Sequence, residues 1–223
     1  SHEIRTPLNA IIGFSDLICQ TDDAEEKEEY IRIVTSNNEL LLQLIDDILD
    51  LSKIEAGTMD FSYDLTDINE LMEDICLQMQ QKNQHPGVQI LFTEKEPCCV
   101  INTDRLRLSQ VIINLMNNAM KFTAEGSITL GYRLNGQKNE LYFFVKDTGI
   151  GIPADKAEKV FERFVKLNSF VKGTGLGLAI CRVIIERLGG TIGVDTAVEE
   201  GACFWFRLPV QEDIPLDIPI NLC

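Results

Sequence analysis

The apolar positions near the start of the chain follow helical spacing. They recur three, four or seven residues apart and place one apolar face along a helix: Ile4, Leu8, Ile11 and Ile18. Pro7 lies inside this pattern. Because proline removes a backbone hydrogen bond from a helix interior, we expect a kink one or two turns after His2.

A second and longer helix is predicted from about Ala24 to Ala56, after the polar break at 20–23 and before Gly57, a natural helix stop. Its apolar face is broad: Ile31, Val34, Leu40, Leu41, Leu44, Ile45, Ile48 and Leu51. Two helices joined by a short loop form an antiparallel hairpin, and a face this wide is not covered by one partner helix. The pattern predicts a four-helix bundle in a homodimer; packing on the chain's own second domain is the alternative.

Beyond Gly57 the pattern changes to short β-rich runs between helices. Asp67 and Asp104 are placed to cap helices, and Asn135-Gly136 is a strong hairpin signal between the strands predicted at 127–134 and 140–146. The other predicted elements are strands at 88–93, 98–103, 191–194 and 202–208 and a helix ending at Leu188. Without a βαβ repeat, this order predicts an antiparallel or mixed sheet with helices on one face, an α+β protein.

These patterns divide the chain into three parts. A helical hairpin is expected at 1–57, a mixed α/β domain at 58–210, and a linker or disordered tail at 211–223, where acidic residues and two prolines occur. The chain has neither an initiator Met nor a signal segment, so we expect it to be a piece of a larger protein.

Composition narrows the classes of function. The 223 residues carry a formal net charge of -15, which repels a phosphate backbone and argues against a nucleic-acid partner. No apolar run is long enough to span a bilayer, so no membrane segment is expected in this fragment. The seven cysteines are odd in number and lack zinc spacing, and we interpret them as reduced thiols, with Cys76 and Cys181 on apolar stripes.

Three stretches carry candidate chemistry, and the first is a polar face of the helix at 104–121. Asn114 and Asn118 are four residues apart and Lys121 follows three later, so the three side chains share one face. Carboxamide oxygens suit Mg²⁺, and a lysine beside them can meet phosphate charge. Taken alone, this stretch is better explained as a solvated surface stripe.

The second and third stretches are rich in glycine. Asp147 follows a β-rich run and precedes Gly149 and Gly151, so the backbone can approach a flat ligand while the carboxylate accepts a hydrogen bond from an amino group; a simple turn is the alternative. The run 173–178 opens an apolar helix whose free N–H groups favour a phosphate, although its spacing does not fit the Rossmann fingerprint.

In this order the three stretches resemble the N, G1 and G2 boxes of the ATP-binding domain of two-component histidine kinases. Phe161-Glu-Arg-Phe164 resembles the F box. The resemblance implies an α/β sandwich shared with gyrase-type and Hsp90-type ATPases, with ATP and Mg²⁺ as cofactors. It implies that Asn118 is the Mg²⁺ ligand, that Asn114 and Lys121 face the phosphates, and that Asp147 accepts a hydrogen bond from the adenine amino group. The remaining implied ATP-site residues are Gly149, Gly151, Ile152, Phe164, Gly173, Thr174, Gly175, Leu176 and Gly177, next to a mobile lid at about 165–172.

The start of the chain separates a kinase from its ATPase relatives. The run from Ser1 to Leu8 resembles the H box, in which the histidine accepts the phosphoryl group. By that resemblance His2 is the phosphoacceptor, Glu3 holds the ring and accepts its proton, and Thr6 orients water when the partner is dephosphorylated. His2-Glu3 also opens like a zinc-protease motif, but the second histidine of that motif is absent. The end of the second helix, 51–57, matches the family as well.

The resemblance implies a sensor histidine kinase core, a protein-histidine kinase that phosphorylates His2 with ATP and passes the phosphoryl group to an aspartate of a response-regulator receiver domain. A phosphatase activity is a further expectation. We expect the cytoplasmic portion of a larger sensor, with membrane anchoring left open. Only Ser1 precedes His2, where the family has a longer helix, so we expect normal ATP binding and slow self-phosphorylation. The rivals are a gyrase- or Hsp90-type ATPase clamp and a non-enzymatic dimerisation module.

Overall fold

The chain forms two compact units in a computed structural model that describes residues 2–136, 139–165, 173–198 and 200–210. Of His2, the description covers the backbone. The first unit contains residues 2–59 and 173–177, and the second contains the described parts of 60–165 and 178–210. The predicted tail at 211–223 and most of the predicted lid, 166–172, lie outside the described residues.

The first unit is built on two helices, α1 (His2–Gln20) and α2 (Ala24–Glu55). Asp23 caps α2 by accepting hydrogen bonds from the backbone N–H groups of Glu25 and Glu26, at 2.8 and 3.2 Å. After α2, Gly57 takes φ +65°, the left-handed conformation that glycine adopts readily. Both helices therefore lie where the apolar spacing and the polar break predicted them. Helix α1 is continuous through Pro7, and the kink stays a prediction.

The hairpin leaves much of its apolar surface uncovered. Phe14 and Tyr30 join the two helices, with ring centroids 5.6 Å apart, and Leu44 is buried. Other large apolar side chains are at least 37% exposed: Ile4, Leu8, Ile12, Leu17, Ile31, Leu42, Ile45, Ile48 and Leu49. We call this set the hairpin stripe. Exposed apolar side chains in this number on one hairpin are typical of a protein-protein contact.

The second unit has the mixed helix and strand order expected from the sequence. Its elements are β1 (Asp64–Asp67), α3 (Ile68–Lys82), β2 (Val88–Glu94), β3 (Val100–Thr103), α4 (Arg105–Phe122), β4 (Gly126–Asn135), β5 (Glu140–Asp147), α5 (Gly177–Arg187), β6 (Thr191–Asp195) and β7 (Ala202–Pro209), with two short 3-10 turns at Ala154–Lys156 and Lys159–Phe161. Helix α5 thus begins with Gly177 and Leu178, the last two residues of the glycine-rich run 173–178.

Five strands form a mixed sheet in the order β2-β4-β5-β7-β6. Strand β2 runs parallel to β4, and the other neighbours are antiparallel. The hairpin predicted around Asn135-Gly136 is the β4–β5 pair, in which Asn135 lies opposite Glu140. The same register places Asp147, at the end of β5, opposite Ile128 on one side and Ala202 on the other.

One face of this sheet carries the core. Alternate residues of β5 and β7 point into it, and the rings of Phe143 and Phe206 stack with centroids 4.6 Å apart. Helices α3 and α4 contact the strands β2, β4 and β5, and α5 lies against α4, where the Cys181 thiol is 3.9 Å from the Val111 carbonyl oxygen. Cys76 and Cys181 are both buried, as their apolar stripes predicted.

One short strand was missed in the sequence. Strand β1 lies between Gly57 and the helix capped by Asp67, where the sequence predicted no strand, and it pairs antiparallel with β3. Its four residues, Asp-Leu-Thr-Asp, carry no strand signal of their own. A further hydrogen bond fixes the residues just before β1: the Ser62 N–H donates to Asp104 Oδ2 at 2.9 Å. The other oxygen of the same carboxylate, Oδ1, caps α4 by accepting from the Arg107 N–H.

Among the described residues, no helix combines the length and the apolar character that a membrane crossing needs.

Candidate active site

Helix α4 places the asparagine pair. Its apolar face is buried in the second unit through Leu108, Val111, Ile112, Leu115, Met116 and Ala119. Asn114 and Asn118 lie on a neighbouring, half-buried face, where Asn118 Nδ2 donates to Asn114 Oδ1 at 3.4 Å. The core therefore fixes the direction of the two carboxamides.

The end of α4 adds a positive charge beside them. Lys121 is exposed, and its ammonium lies 5.1 Å from the ring centroid of Phe122. Because the Asn118 nitrogen is the donor in the asparagine pair, its Oδ1 is the atom that can accept a cation. A carboxamide oxygen with a lysine nearby fits a Mg²⁺ ion that arrives with phosphates, since Mg²⁺ prefers oxygen ligands and shares them with its substrate.

Strand β5 delivers the buried carboxylate of Asp147, which is 4% exposed. The Gly149 N–H donates to Asp147 Oδ1 at 2.9 Å. Burial raises the pKa of this carboxyl above its usual value of 3.8, and the backbone hydrogen bonds from Gly149 and Ala202 lower it in part. A buried carboxylate held by backbone groups can accept a further hydrogen bond from an amino group of a ligand.

Glycines let the loop after β5 lie directly on the end of α4. A Cβ atom at Gly149 would overlap the Phe122 carbonyl oxygen, and the Ile150 N–H donates to that oxygen at 3.3 Å. Gly151 has φ +70°, and a Cβ there would lie 2.8 Å from the Gly201 carbonyl oxygen. The structure therefore brings the first two predicted stretches together: the asparagine helix and the Asp147 loop share one corner of the second unit.

Two residues of this corner were missed in the sequence. Gly201 has φ +72°, and a Cβ there would overlap the backbone of Asp147, so it shapes the Asp147 site from the β7 side. Its position just before β7 was the available signal. Thr123, at the end of α4, has a buried hydroxyl with no hydrogen-bond partner among the described residues. A buried polar atom of this kind beside a binding site is commonly satisfied by water or ligand.

The Phe161–Phe164 stretch divides into an anchor and an exposed ring. Phe161 is buried, edge-on to Phe204 at 6.2 Å, with the Arg182 guanidinium 4.6 Å from its ring. Phe164 is 59% exposed and has φ +62°, a conformation uncommon for a bulky residue. Ile152 is half-buried in the preceding loop. The predicted contribution of Ile152 and Phe164 to a nucleotide site stays a prediction.

The third predicted stretch belongs to the first unit. Gly173, Gly175 and Gly177 are half-buried, whereas Thr174 and Leu176 are buried. The Thr174 hydroxyl donates to Asp47 Oδ2 at 2.6 Å and accepts from the Leu176 N–H at 3.2 Å. Sequence reasoning assigned this stretch to the phosphates of ATP, which stays a prediction, and it missed Asp47.

The histidine stretch begins α1. Helix α1 starts at His2; Glu3 is half-buried and Thr6 is exposed. His2 and Thr6 are four residues apart on the helix and so share a face. The roles predicted for His2, Glu3 and Thr6 remain predictions.

Comparisons with known proteins match both units. The model of the His Kinase A (phospho-acceptor) domain matches residues 1–57. The model described as histidine kinase-, DNA gyrase B-, and HSP90-like ATPase matches residues 103–212. These matches confirm the fold class read from the sequence, a helical region followed by an α/β domain of this ATPase type.

Individual relatives agree with the family models. The hybrid signal transduction histidine kinase L of Dictyostelium discoideum is 34% identical over 97% of this chain and 13% of its own length. The structure of full-length ShkA in complex with AMPPNP has 32% identity and a TM-score of 0.73, covering 94% of this chain and 44% of that one. This chain thus spans less than half of either relative.

The histidine kinase ThkA is similar in two solved forms. Its complex with the response regulator protein TrrA has 29% identity and a TM-score of 0.74, over 94% of this chain and 59% of that one. Its catalytic domain, nucleotide free, has 31% identity and a TM-score of 0.59, over 68% of this chain and 97% of that domain. With the two family models matched in the order that the sequence motifs predicted, the chain belongs to the sensor histidine kinases and carries their phospho-acceptor and ATPase-type domains.

Proposed function

We propose that this chain is a protein-histidine kinase core that transfers the γ-phosphoryl group of ATP to His2 and then to an aspartate of a response-regulator receiver domain. One observation carries the nucleotide part: the Asp147 loop lies on the end of α4 through the Ile150–Phe122 hydrogen bond, so the buried carboxylate and the Asn114–Asn118 face belong to one corner. The complex of the related ShkA with AMPPNP supports a nucleotide at such a site.

In this proposal Asp147 binds the adenine. Its carboxylate is buried and held by backbone groups, and burial raises its pKa. A hydrogen bond from the exocyclic amino group of adenine would therefore offset part of the cost of burying this charge. Gly149 and Gly151 leave no side chain between the backbone and a flat base. Ile152 and Phe164 would add apolar contacts, and Gly173 to Gly177 would meet the phosphates with N–H groups at the start of α5.

Asn114, Asn118 and Lys121 serve the phosphate end. Mg²⁺, when bound, neutralises charge on the triphosphate, and Asn118 Oδ1 is the protein atom that would hold it. Lys121 offers a positive charge that orients the γ-phosphate, and Asn114 orients Asn118 by accepting its N–H. Catalysis of phosphoryl transfer is mainly positioning and charge stabilisation, which is what these side chains provide.

His2 is the nucleophile. A ring nitrogen of the neutral imidazole forms a bond to the γ-phosphorus while the bond to the bridging oxygen breaks, and ADP leaves with that electron pair. Glu3 accepts the ring proton as the imidazole becomes charged. The second transfer moves the phosphoryl group to a receiver aspartate, as the complex between ThkA and TrrA suggests for this chain. Thr6 would orient the water that hydrolyses the phosphoryl group when the chain dephosphorylates its partner.

The hairpin stripe supports the homodimer within the same proposal. Its side chains are at least 37% exposed, and two copies of the hairpin would bury them in a four-helix bundle. The chain would be the cytoplasmic portion of a larger sensor, since the similar kinase from Dictyostelium is several times longer.

The test is to incubate the protein with Mg²⁺ and ATP labelled at the γ-phosphate. The wild type should acquire label that is labile in acid and stable in base, and His2→Ala should acquire none. His85→Ala is the matched control, because the chain has two histidines and His85 lies in an exposed loop; it should be labelled like the wild type. Addition of a cognate receiver domain should then remove the label from the protein.

A gyrase- or Hsp90-type ATPase would give a different result. It would release phosphate from ATP at equal rates in the wild type and His2→Ala and would form no acid-labile phosphoprotein. Label on the wild type that persists in His2→Ala would also overturn the proposal.

A further inference from the structure

Asp47 and Thr174 form a buried hydrogen bond inside the first unit. They are 127 residues apart in the chain, and the Thr174 hydroxyl donates to Asp47 Oδ2 at 2.6 Å. The two residues are 7% and 4% exposed. The contact therefore holds the glycine-rich stretch 173–177 on the C-terminal half of α2.

This contact places the stretch next to several negative charges. Asp46 and Asp50 lie beside Asp47 on α2, and both raise the Asp47 pKa above its usual value, after burial as the first cause; the Thr174 hydrogen bond lowers it in part. Burying a carboxylate among like charges is unfavourable unless a donor compensates. Thr174 supplies that donor, so the contact offsets part of the cost of burying the Asp47 carboxylate.

The contact with Asp47 engages the Thr174 hydroxyl, one of the groups that the proposed function assigns to phosphate. The Thr174 hydroxyl is donated to Asp47, and its oxygen accepts the Leu176 N–H at 3.2 Å. A hydroxyl that already donates to a carboxylate is a poorer phosphate donor, and a nearby carboxylate repels a triphosphate. Docking of 173–177 on α2 and binding of ATP phosphates by 173–177 are therefore competing states.

We propose that Asp47 is an autoinhibitory residue: its hydrogen bond to Thr174 holds the glycine-rich stretch on the hairpin and lowers the affinity of the chain for ATP until the stretch is released. The inference rests on the proposed ATP binding by 173–177. It gives α2 a regulatory role besides dimerisation, because a change in the hairpin that moves Asp47 would change nucleotide affinity.

The test compares three variants of the full chain. Asp47→Ala removes both the charge and the acceptor, and Asp47→Asn retains an acceptor oxygen. Asp46→Ala is the matched control, since Asp46 is an exposed carboxylate one residue away without the Thr174 contact. The readouts are the dissociation constant for Mg²⁺-ATP by calorimetry, and hydrogen exchange of the amides in 173–177 without nucleotide.

Loss of a hydrogen bond to a charged group should tighten ATP binding about tenfold or more in Asp47→Ala and speed exchange in 173–177 by a similar factor. Asp47→Asn should lie between this variant and the wild type, and Asp46→Ala should match the wild type. Circular dichroism of each variant checks that the hairpin is folded.

Two results would overturn the inference in distinguishable ways. If wild type, Asp47→Ala and Asp46→Ala all bind ATP with the same affinity, or if exchange in 173–177 is unchanged, Asp47 is not inhibitory and the proposed function is untouched. If neither the wild type nor any variant binds ATP, both the proposed function and this inference are wrong.

Discussion

The helical hairpin and the sheet domain bury their apolar residues to very different extents. Within the described residues, the hairpin helices bury two apolar side chains, Pro7 and Leu44, whereas the sheet domain buries large side chains on every helix and on most strands of the five-stranded sheet. The hairpin has the longest helix of the described chain, α2 with 32 residues, and still leaves the hairpin stripe exposed.

The difference shows what each region needs for stability. The sheet domain has its own core, built on the stacked rings of Phe143 and Phe206 and on the buried faces of α3 and α4. The hairpin has local support, a cap at Asp23 and a glycine after its end, but little core. Helices in water gain most of their stability from packing, so the hairpin is expected to depend on a second copy and the sheet domain is not.

The largest expected effect breaks the hairpin and spares the sheet domain. Replacing Leu42 and Ile45 together with Glu puts charges into the stripe of both copies, and desolvating each charge costs several kilocalories per mole. Dimerisation should weaken more than about 100-fold, measured as mass by light scattering. The free energy of unfolding of the sheet domain, followed by Trp205 fluorescence in urea, should change by no more than about 0.5 kcal/mol.

Gln43→Glu is the control for this experiment, since Gln43 is an exposed polar position between the two. It should leave the dimer intact. A double variant that stays dimeric would show that the stripe is not the interface.

The reverse experiment breaks the sheet domain and spares the hairpin. Phe206→Ala removes a ring that is 1% exposed and stacked on Phe143, which should lower the free energy of unfolding by about 3–5 kcal/mol. Urea unfolding followed by Trp205 fluorescence measures it. Leu106→Ala, at a position 73% exposed on α4, should change it by no more than about 0.5 kcal/mol; equal effects would contradict the assigned core.

A third substitution, at Asp147, tests the proposed ATP site and not the stability of the fold. Asp147→Asn should weaken ATP binding about tenfold, because the acceptor oxygen becomes neutral and hydrogen bonds to charged groups are stronger by about 1–1.5 kcal/mol. Asp155→Asn, an exposed carboxylate in the following 3-10 turn, should have no effect on affinity. Calorimetry measures both, and equal affinities in the wild type and Asp147→Asn would remove Asp147 from the site.

The same variant also tests how the contribution of Asp147 to stability changes with pH, and the direction of that change follows from the raised pKa. Burial raises the Asp147 pKa in the folded state above 3.8, so the folded state binds more protons in the interval between the two values. The contribution of this carboxyl to stability therefore falls as pH rises through that interval and stays low above it. The melting temperature of the nucleotide-free wild type, relative to Asp147→Asn, should rise as the pH is lowered through the interval.

The smallest expected effect is a single hydroxyl in the core. The fully buried Tyr132 donates to Asn69 Oδ1 at 2.6 Å, a link between β4 and α3. Tyr132→Phe should lower the free energy of unfolding by about 1–2 kcal/mol, since the Asn69 oxygen loses its donor. Tyr63→Phe removes an exposed hydroxyl, at a position 50% exposed, and should be neutral in the same urea titration.

Sequence patterns were sufficient where local chemistry and periodicity agree. The polar break before Ala24, the caps at Asp67 and Asp104 and the hairpin at Asn135-Gly136 all lie where they were predicted. Each rests on contacts within a few residues, such as the Asp67 carboxylate that accepts from the Asn69 and Glu70 N–H groups. Strand β1 was missed because its pairing with β3 comes from residues more than 30 positions away.

The candidate site shows the same division. The asparagine spacing predicted one helix face, and the structure has that face, with the two amides in contact. The roles of Gly201 and Asp47 were missed because both depend on the approach of distant segments: Gly201 on the backbone of Asp147, and Asp47 on Thr174.

By itself, the sequence determined the helices, most strands, the order of the motifs and the family, because helical periodicity, caps and motif spacing are local properties of the chain. The tertiary structure alone decided that the Asp147 loop lies on the end of α4 and that Thr174 donates its hydroxyl to a buried carboxylate of α2. Such contacts depend on loop closure and on the burial of specific polar groups, and neither leaves a periodic signal in the sequence.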